Sequence, residues 1–219
     1  MTPICFVFGA GPPPDAPPEI AEHDFVIAAD GGYLYTQSAG IPTRIVIGDF
    51  DSLGSDPGDL KDNPLVLRLP KEKDQTDTLA ALKCGLERGF KVFHIYGGVG
   101  GRIDHTLANI QCLAYLLNHG ARGYLHDGDV IITALRAGVW IAPRGDGVIS
   151  VFALGGTADG VCLRGLKYEL DNVRLHTDYP LGVSNEFIGR PAYIGTERGD
   201  LLVIYPSGTA EIEGEFLDG

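Results

Sequence analysis

Two aspartates follow the apolar run IVIG at 45–48, at the point where a buried strand is expected to end. Asp49 and Asp51 stand two residues apart, so they would share one face of an extended chain. Two close carboxylates repel each other, and burial increases the repulsion. A positive partner is therefore expected beside them. Mg²⁺ suits such oxygen ligands, because it binds a few carboxylates together with substrate phosphates and waters.

Further carboxylates stand at comparable places along the chain. Asp30, followed by two glycines, comes after the apolar run FVIAA. The segment KDQTD at 73–77 opens a helical pattern, and its Asp74 and Asp77 lie three apart, so they face the same way on a first helical turn. In an open parallel sheet, ligands bind outside the carboxyl ends of the strands. These carboxylates are therefore expected to meet at one edge of a sheet.

The glycine-rich segment GGVGGRIDH at 97–105 supplies the complementary chemistry for an anion. It follows the apolar run KVFHIY and opens a second helical pattern. Its glycines would let backbone N–H groups approach a phosphate at the helix N-terminus. Arg102 offers a fork of donors to phosphate oxygens, although it could equally pair with a nearby carboxylate. The positive partner of the carboxylates would then be Mg²⁺ carrying a nucleotide polyphosphate.

Each of these positions also has a purely structural interpretation. Asp30 and Asp49 could be turn residues, and Asp74 or Thr76 could be only a helix N-cap. His105 could be a packed or capping histidine. The sequence GGVGG has neither the GxGxxG nor the GxxxxGK[ST] spacing of known phosphate loops. A binding site is the favoured interpretation, because excluding it would require every one of these structural interpretations to be correct at once.

The composition limits the expected partners. The chain of 219 residues carries a formal net charge of -12, which argues against nucleic acid or an anionic membrane as the main partner. Its four cysteines are widely spaced without a C-x-x-C pair, so no zinc site is expected. No N-terminal leader is recognised, nor any apolar run of about 18 residues. A soluble protein of the reduced cytoplasm is expected.

The elements that must position these residues alternate along the first part of the chain. Apolar runs that suit strands covered on both faces alternate with helical patterns, which predicts a layered α/β domain with a mostly parallel sheet. One helix is predicted from TDTLAALKCGLERG, with a stop at Gly89, and another from IDHTLANIQCLAYLLNHG, with a stop at Gly120. The second helix is predicted to bury one apolar face, formed by Ile103, Leu107, Ile110, Ala114 and Leu117.

From about residue 138 the pattern changes to short apolar runs separated by glycine, Asp-Gly and proline. No helical period survives there, and the spacing is typical of an antiparallel sandwich or barrel. The fold class predicted is therefore α/β followed by all-β. We expect an α/β domain at 1–137 and an antiparallel β-sandwich domain at 138–219.

The ordered set of motifs is similar to that of one known family, the thiamine pyrophosphokinases (thiamin diphosphokinases). The resemblance covers most of the chain and is carried by AADGG at 28–32, GDFDS at 48–52, KDQTDT at 73–78, GGVGGRIDHTLANI at 97–110, GLKYEL at 165–170 and GVSNEF at 182–187. No single motif is decisive, but their order and spacing make the set specific.

The resemblance implies an enzyme that transfers the pyrophosphoryl group of ATP to the hydroxyl of thiamine, forming thiamine diphosphate and AMP. It also implies that Mg²⁺ is required, that 1–137 binds ATP and Mg²⁺, and that 138–219 binds thiamine. Members of the family are homodimers, with thiamine held between the α/β domain of one chain and the β-domain of the other. Neither nucleic acid nor a membrane is expected as a partner.

The motif match also implies roles for individual residues. The metal and the phosphates would be carried by Asp49, Asp51, Asp74 and Asp77. The polyphosphate and the attacking hydroxyl would be positioned by Thr76, Arg102 and Asp104. The substrate-binding set would further include Asp30 and His105, and thiamine itself would be contacted by Ser184 and Asn185. One aspartate would accept the hydroxyl proton, and the sequence leaves open which one.

The contacts of the thiamine ring are left open by the sequence. The family stacks the ring on an aromatic side chain, but Trp140 lies near the domain boundary, away from GVSNEF. Tyr168 and Phe187 are alternatives, and either could instead belong to the β-core. Ser184 and Asn185 could equally be turn residues.

Two other functions are compatible with parts of the pattern. IVIGDFDS also resembles the strand and D-x-D start of haloacid-dehalogenase-type phosphatases, in which Asp49 would be the nucleophile. Those phosphatases have other residues after the second aspartate than the Ser52-Leu53 found here, and their motif lies nearer the N-terminus. A thiamine sensor without catalysis is the second alternative, although the expected carboxylates are all present.

Overall fold

The computed structural model describes residues 2–50, 64–70, 74–143, 146–207 and 210–213. The chain divides into two compact units, Met1–Gly128 and Asp129–Gly219. The described residues form a mixed α/β structure with helices in the first unit only. Asp51 lies outside the described residues, so its predicted place beside Asp49 stays a prediction.

The first unit contains a parallel sheet. Its described strands are β1 Ile4–Phe8, β2 Phe25–Ala29, β3 Ile45–Gly48, β4 Leu65–Arg68, β5 Val92–Tyr96 and β6 Arg122–Asp127. They pair in the order β6-β5-β1-β2-β3-β4, and each pairing is parallel. Because β1 lies between β2 and β5, the strand order reverses between β1 and β5. The carboxyl ends of these two strands therefore mark the crevice where such sheets bind ligands.

The central strand is covered on both faces, as the sequence predicted for a parallel sheet. Along β1, Cys5, Phe6, Val7 and Phe8 are all at most 3% exposed, although alternate side chains point to opposite faces. The helix of residues 77–87 packs closely on one face, because a Cβ at Gly85 would lie only 2.5 Å from the Phe93 ring. Glycine is therefore needed where this helix crosses the sheet.

The described helices are α1 Gly32–Ser38, α2 Asp77–Glu87 and α3 Ile103–Asn118. The hydroxyl of Thr76 accepts the backbone N–H of Leu79 at 3.2 Å and so caps the start of α2. Gly89 and Gly120, with φ of 86° and 63°, follow α2 and α3 as the sequence predicted. No helix within the described ranges is long and apolar enough to cross a membrane.

The buried face of α3 differs from the predicted one. Ile103 and Leu107 were expected on that face, but they are 73% and 57% exposed. The helix instead buries a neighbouring stripe with the same three-and-four spacing, formed by Asn109, Cys112, Leu113 and Leu116. The reason is that α3 is apolar around more than half of its circumference, so its period alone does not select a face. The observed face packs Leu113 and Leu116 against Gly123 of β6, and on it Asn109 donates to the Gly98 carbonyl oxygen at 2.7 Å.

The described strands of the second unit pair antiparallel throughout. They are β7 Val130–Leu135, β8 Val139–Pro143, β9 Val148–Arg164, β10 Leu170–Leu175, β11 Gly182–Glu186, β12 Ala192–Gly195, β13 Arg198–Pro206 and β14 Ala210–Glu213. The long strand β9 pairs through its first half with β11 and most of β13, and through its second half with β10, β12 and Arg198 at the start of β13. One strand thus belongs to two sets of neighbours.

One hydrophobic cluster fills the second unit. It takes buried side chains from β7, β8, β12, β13 and both halves of β9. Phe187, only 3% exposed, belongs to this cluster, which assigns it to the core. The predicted domain boundary between 137 and 138 falls inside this unit, after β7, whereas the compact units divide between Gly128 and Asp129.

Candidate active site

Asp30 and Asp49 stand at the carboxyl ends of neighbouring strands, as predicted. Asp30 follows β2 with a φ of 49°, and its backbone N–H donates to the Ile47 carbonyl oxygen of β3 at 2.8 Å. Asp49 directly follows β3. The two strand ends lie so close that a Cβ at Gly48 would stand 3.1 Å from the Asp30 Cα. Glycine before Asp49 therefore allows the two acidic positions to be neighbours.

Asp74 and Asp77 lie at the start of α2, on either side of its cap. Asp77 is the first residue of the helix, where the positive end of the helix dipole favours a carboxylate. Thr76 accepts a hydrogen bond from Leu79, so the structural interpretation of Thr76 holds. Its hydroxyl proton is still able to donate, because a hydroxyl both donates and accepts. A role in binding a phosphate is compatible with the cap.

Two glycine loops meet at the carboxyl ends of β1 and β5. The backbone N–H of Gly11 donates to the Gly97 carbonyl oxygen at 2.9 Å. A Cβ on Gly9 would stand 2.7 Å from that oxygen, and one on Gly97 would stand 2.5 Å from the Gly9 oxygen. The loops therefore pack backbone against backbone, which side chains would prevent. Asn109 supports the second loop through its bond to Gly98.

Arg102 and Asp104 form a two-pronged ion pair on the first turn of α3. The Nε–Oδ1 and Nη2–Oδ2 distances are 3.1 and 2.5 Å, and both side chains are mostly exposed. The backbone N–H of His105 also donates to Asp104 Oδ1, at 3.0 Å. The hydrogen bond from Arg102 is the chief cause that holds the pKa of the Asp104 carboxyl below its usual range. Asp104 is therefore ionised at neutral pH and orients the guanidinium.

Two neighbouring cavities are lined by described residues of the first unit. The larger, about 760 Å³, is called the carboxylate cavity here, and its lining includes Asp49, Asp74, Thr76, Asp77, Arg102 and His105. The smaller, about 460 Å³, is called the glycine-loop cavity, and its lining includes Asp30, Gly98, Gly101, Arg102 and His105. Arg102 and His105 line both. The structure thus brings together most of the site residues predicted in the first unit.

The donor chemistry of the carboxylate cavity fits a hard divalent cation. Asp49, Asp74 and Asp77 present oxygen ligands only, and the lining adds the hydroxyl of Thr76. Among the residues that the structure describes, no group of three or more acidic, histidine or cysteine side chains stands close enough to enclose a metal. Mg²⁺ does not require such a group, because it takes several of its ligands from waters and substrate phosphates.

Ser184 and Asn185 lie on β11 in the second unit, and their environments differ. Ser184 is exposed, with a φ of 56°, and its backbone N–H donates to the Ser150 hydroxyl at 3.1 Å. Asn185 is only 3% exposed. Its Oδ1 accepts the N–H of Tyr168 at 2.9 Å, and its Nδ2 donates to the Tyr168 carbonyl oxygen at 2.6 Å. The Asn185 side chain is thus committed to holding the backbone of Tyr168.

The aromatic side chains that are candidates for stacking on the thiamine ring differ in their exposure. Phe187 lies in the core, whereas Tyr168 is 58% exposed. The Lys167 ammonium lies 5.5 Å from the Tyr168 ring centroid and pairs with Glu186 at 2.7 Å. Trp140 is also exposed, but it packs against Tyr193, with 5.3 Å between ring centroids. Tyr168 alone of the three combines an exposed ring with a place in the GLKYEL motif.

Sequence reasoning missed several residues that line the cavities. Gln75, Gln111, Cys112 and Tyr115 line the carboxylate cavity, and Asn109 lines the glycine-loop cavity. Asn109 carried a usable signal, since it is a polar side chain inside an apolar helical pattern. The others carried none, because an exposed amide or a half-buried tyrosine on a helix is ordinary.

The sequence matches two family models in succession. Residues 17–125 match the model described as thiamin pyrophosphokinase, catalytic domain, and residues 141–201 match thiamin pyrophosphokinase, vitamin B1 binding domain. A curated thiamine pyrophosphokinase of Bacillus subtilis is 30% identical over 203 residues, which cover 89% of this chain and 95% of that protein.

Solved structures agree with these matches. The crystal structure of thiamine pyrophosphokinase from Bacillus subtilis has a TM-score of 0.82 at 27% identity, covering 93% of this chain and 99% of that one. A thiamin pyrophosphokinase family protein from Enterococcus faecalis has a TM-score of 0.80 at 30% identity, covering 94% and 99%. The fold is that of an α/β enzyme, and the described cavities lie at the carboxyl edge of its parallel sheet.

The chain belongs to the thiamin pyrophosphokinase family, as the ordered motifs predicted. It is an enzyme of that kind, and the family's reaction is ATP-dependent transfer of pyrophosphate to thiamine. The phosphatase and sensor alternatives are not supported, because the match to the catalytic model spans the segments that carry Asp49 and Arg102.

Proposed function

We propose that the carboxylate cavity is where the pyrophosphoryl group of ATP passes to the hydroxyl of thiamine, giving thiamine diphosphate and AMP. The observation that carries this proposal is the convergence of Asp49, Asp74, Asp77 and Arg102 on one cavity. Attack at the β-phosphorus makes AMP the leaving group. Such a transfer depends on positioning and on charge neutralisation more than on covalent chemistry.

The aspartates of this cavity, together with Asp51, are proposed to hold Mg²⁺. When bound, the ion would draw charge from the phosphate oxygens and fix the polyphosphate. The donor set supports this assignment, because it contains only oxygen ligands and leaves room for waters and phosphates.

The chain's own donors supply the rest of the phosphate site. Helix N-termini leave backbone N–H groups without intrahelical partners, and such groups bind anions. The N–H groups of Leu79 and His105 already donate to Thr76 and Asp104, so the first turns of α2 and α3 are proposed to offer their remaining N–H groups. Arg102 is proposed to contact the phosphates with the guanidinium edge that Asp104 leaves open. Asp104 is then a positioning residue. The lowered pKa of its carboxyl makes Asp104 a poor proton acceptor, so the proton of the thiamine hydroxyl is proposed to pass to another aspartate.

The second unit is proposed to be an antiparallel β-sandwich that binds thiamine. Its buried cluster and the division of β9 between two sets of strands support a two-layer arrangement. Tyr168 is proposed as the ring on which thiamine stacks, and Ser184 as a polar contact. Asn185 is proposed to act through Tyr168, because three of the hydrogen bonds its amide can make go to backbone groups.

The assembly and location follow from the family resemblance and are proposals for this chain. We propose a homodimer in which thiamine binds between the α/β domain of one chain and the β-domain of the other. A cytoplasmic location, and the absence of nucleic-acid and membrane partners, stay predictions.

The proposed function is tested by incubating the protein with ATP, thiamine and Mg²⁺ and separating the products by chromatography. AMP and thiamine diphosphate in equal amounts are expected. ADP with thiamine monophosphate would mean that the γ-phosphorus is attacked, which would contradict the proposal. Phosphate release without thiamine would favour a phosphatase, and thiamine binding without product would favour a sensor.

A further inference from the structure

Helix α3 buries an amide among apolar side chains. Asn109 is 4% exposed, and the other residues that this helix buries are Cys112, Leu113 and Leu116. Burying an amide is unfavourable unless it is hydrogen-bonded, so an apolar residue would be the simpler choice for packing alone. The presence of an amide at this position therefore needs a reason other than packing.

The partner of this amide lies in the loop that joins β5 to α3, called the 97–101 loop here. Asn109 Nδ2 donates to the Gly98 carbonyl oxygen at 2.7 Å. Gly98 is also enclosed, because a Cβ there would stand 2.7 Å from Leu125 Cδ1 and 3.2 Å from Asn109 Nδ2. The backbone of the loop is therefore held at Gly98 between α3 and the sheet.

Beyond Gly98 the loop has fewer restraints. Gly100 and Gly101 have φ of 84° and 66°, a region that glycine enters freely. A Cβ on Gly100 would stand 3.1 Å from Pro12 Cγ, whereas one on Gly101 would meet no described atom within 4 Å. Arg102 follows directly as the N-cap of α3. The path of the chain into Arg102 therefore depends on where Gly98 is held.

Asn109 shares one side of α3 with two predicted site residues. Arg102, His105 and Asn109 follow each other at steps of three and four residues, which places them on one stripe of the helix. All three line the glycine-loop cavity, together with Gly98 and Gly101. The hydrogen bond of Asn109 thus ties the loop to the helix beside the cavity that Arg102 enters.

We propose that Asn109 is a positioning residue of the phosphate site, which acts by holding Gly98 and so sets the places of the loop backbone and of Arg102. The inference rests on the proposed function, because Arg102 and the start of α3 are proposed there to contact the polyphosphate. A misplacement of about 1 Å, even from a change far from the reacting atoms, lowers a rate by up to about 100-fold.

Two substitutions in the full-length protein separate positioning from packing. Asn109→Leu keeps the site filled and apolar but removes the donor to Gly98. Asn109→Asp keeps the shape, and its carboxyl donates to the Gly98 oxygen only while it is protonated. Burial and the facing carbonyl oxygen favour the protonated form, so the pKa of the introduced carboxyl should lie above its usual range. In this variant the hydrogen bond is present at low pH and is lost as the pH rises.

Calorimetry without thiamine would give the Kd of Mg·ATP and of magnesium pyrophosphate at pH 5.5 and pH 8. We expect Asn109→Leu to weaken both ligands by about fivefold to tenfold relative to the wild type at either pH. Asn109→Asp should show the same loss at pH 8 and regain most of the wild-type affinity at pH 5.5.

Steady-state kinetics provides a second readout at pH 8. Both variants should lower kcat by at least about tenfold, because the polyphosphate is no longer aligned. The KM for thiamine should stay unchanged, since the thiamine contacts are proposed on the second unit. A loss of packing alone would not produce this split.

The matched control is Asn118→Asp, which makes the same change at an exposed position near the end of α3. It should leave both Kd values at their wild-type ratio at each pH. The charged or titratable side chains that line the glycine-loop cavity are Asp30, Arg102 and His105. They are also present in the wild type, so every variant is compared with the wild type at the same pH. Urea unfolding shows whether each variant is folded.

The possible results separate this proposal from the proposed function. Wild-type affinities and kcat in Asn109→Leu would overturn the positioning role. An affinity of Asn109→Asp that keeps one ratio to the wild type at both pH values would also overturn it. If the wild type makes no thiamine diphosphate but the pyrophosphate affinity of Asn109→Asp recovers at low pH, the proposed function fails and the positioning role stands.

Discussion

The side-chain amide of Asn185 pairs with the backbone of Tyr168 as a neighbouring strand would, accepting its N–H and donating to its carbonyl oxygen. Asn185 is almost fully buried, whereas the Tyr168 ring is more than half exposed. A buried amide with satisfied hydrogen bonds is thus placed under an exposed aromatic side chain. The pair fixes the backbone that carries the ring and leaves the ring accessible.

We predict that the effects of Asn185 and Tyr168 on thiamine binding are coupled. Tyr168→Ala should raise the KM for thiamine by up to about tenfold, the usual value of one aromatic contact. Asn185→Asp keeps the acceptor and loses the donor to Tyr168, so it should also raise this KM. In the Tyr168→Ala background, Asn185→Asp should have no further effect. Steady-state kinetics of the two single variants and the double variant measure the coupling.

Asn172→Asp is the matched control for this cycle, since it changes an exposed asparagine of the same unit. It should leave the KM for thiamine unchanged in both backgrounds. Equal effects of Asn185→Asp in both backgrounds would show that Asn185 contacts thiamine directly. Thermal unfolding of each variant would separate loss of binding from loss of fold.

We predict that the aspartates of the carboxylate cavity set the Mg²⁺ requirement. Asp49→Asn and Asp74→Asn should each lower kcat by at least about 10–100-fold and raise the Mg²⁺ concentration needed for half-maximal rate. Titration of the rate with Mg²⁺ at saturating ATP measures both quantities. Asp178→Asn changes an exposed aspartate of the second unit and should change neither. An unaltered Mg²⁺ titration in both cavity variants would remove these residues from the metal site.

We predict that alanine is tolerated at Gly101 but not at Gly97. The two glycines have nearly equal φ, 66° and 64°, so alanine carries the same backbone cost of about 1–2 kcal/mol at each. A Cβ at Gly101 would meet no atom within 4 Å, whereas one at Gly97 would collide with the Gly9 carbonyl oxygen at 2.5 Å. Urea unfolding should therefore show the larger loss for Gly97→Ala. Equal losses of unfolding free energy in the two variants would mean that the loops can move apart without a loss of stability.

We predict that a histidine pair on the sheet makes stability depend on pH. His94 Nδ1 and His126 Nε2 are 2.9 Å apart, between Tyr96, Tyr124 and Phe6. Burial is the chief cause that lowers the pKa of His94 to about 4 and of His126 to about 3. The charge of Asp24 partly opposes this effect at His94.

Because the folded-state pKa values lie below the unfolded value of about 6.5, the unfolded chain binds more protons as the solution is acidified. The contribution of the histidine pair to the free energy of unfolding is therefore complete above about pH 6.5 and is lost as the pH falls toward 4. We expect the free energy of unfolding to fall by roughly 1–3 kcal/mol more between pH 7 and pH 5 in the wild type than in the double variant His94→Phe, His126→Phe. Urea unfolding at both pH values measures this, and parallel behaviour of the two proteins would refute it.

The positions of the acidic residues were predictable, because each follows a strong local signal. The apolar run before Asp49 indicates where a strand ends. The capping pattern around Thr76 indicates where a helix begins. Parallel strands then place such ends at one edge without further information. The convergence of Asp49, Asp74, Asp77 and Arg102 on one cavity follows from those two facts.

Other features depend on long-range packing that local patterns do not contain. The buried face of α3 depends on packing against β6 and on the contact of Asn109 with a glycine loop, and the apolar period alone does not select it. Strand β4 and helix α1 were not predicted, since the run LVLR is short and α1 lacks both a side-chain cap and an acidic first turn. The commitment of Asn185 to Tyr168 joins residues seventeen positions apart and leaves no local signal.

Strand β9 has a mechanical consequence for the second unit. The first part of its seventeen residues pairs with β11 and most of β13, and the later part pairs with β10, β12 and the start of β13. Both groups of strands are hydrogen-bonded to β9, so neither group can unfold without disrupting the pairing of the other. The unit should therefore melt in one step, and a nick in β9 near Gly155 would divide it into two fragments that are each incomplete.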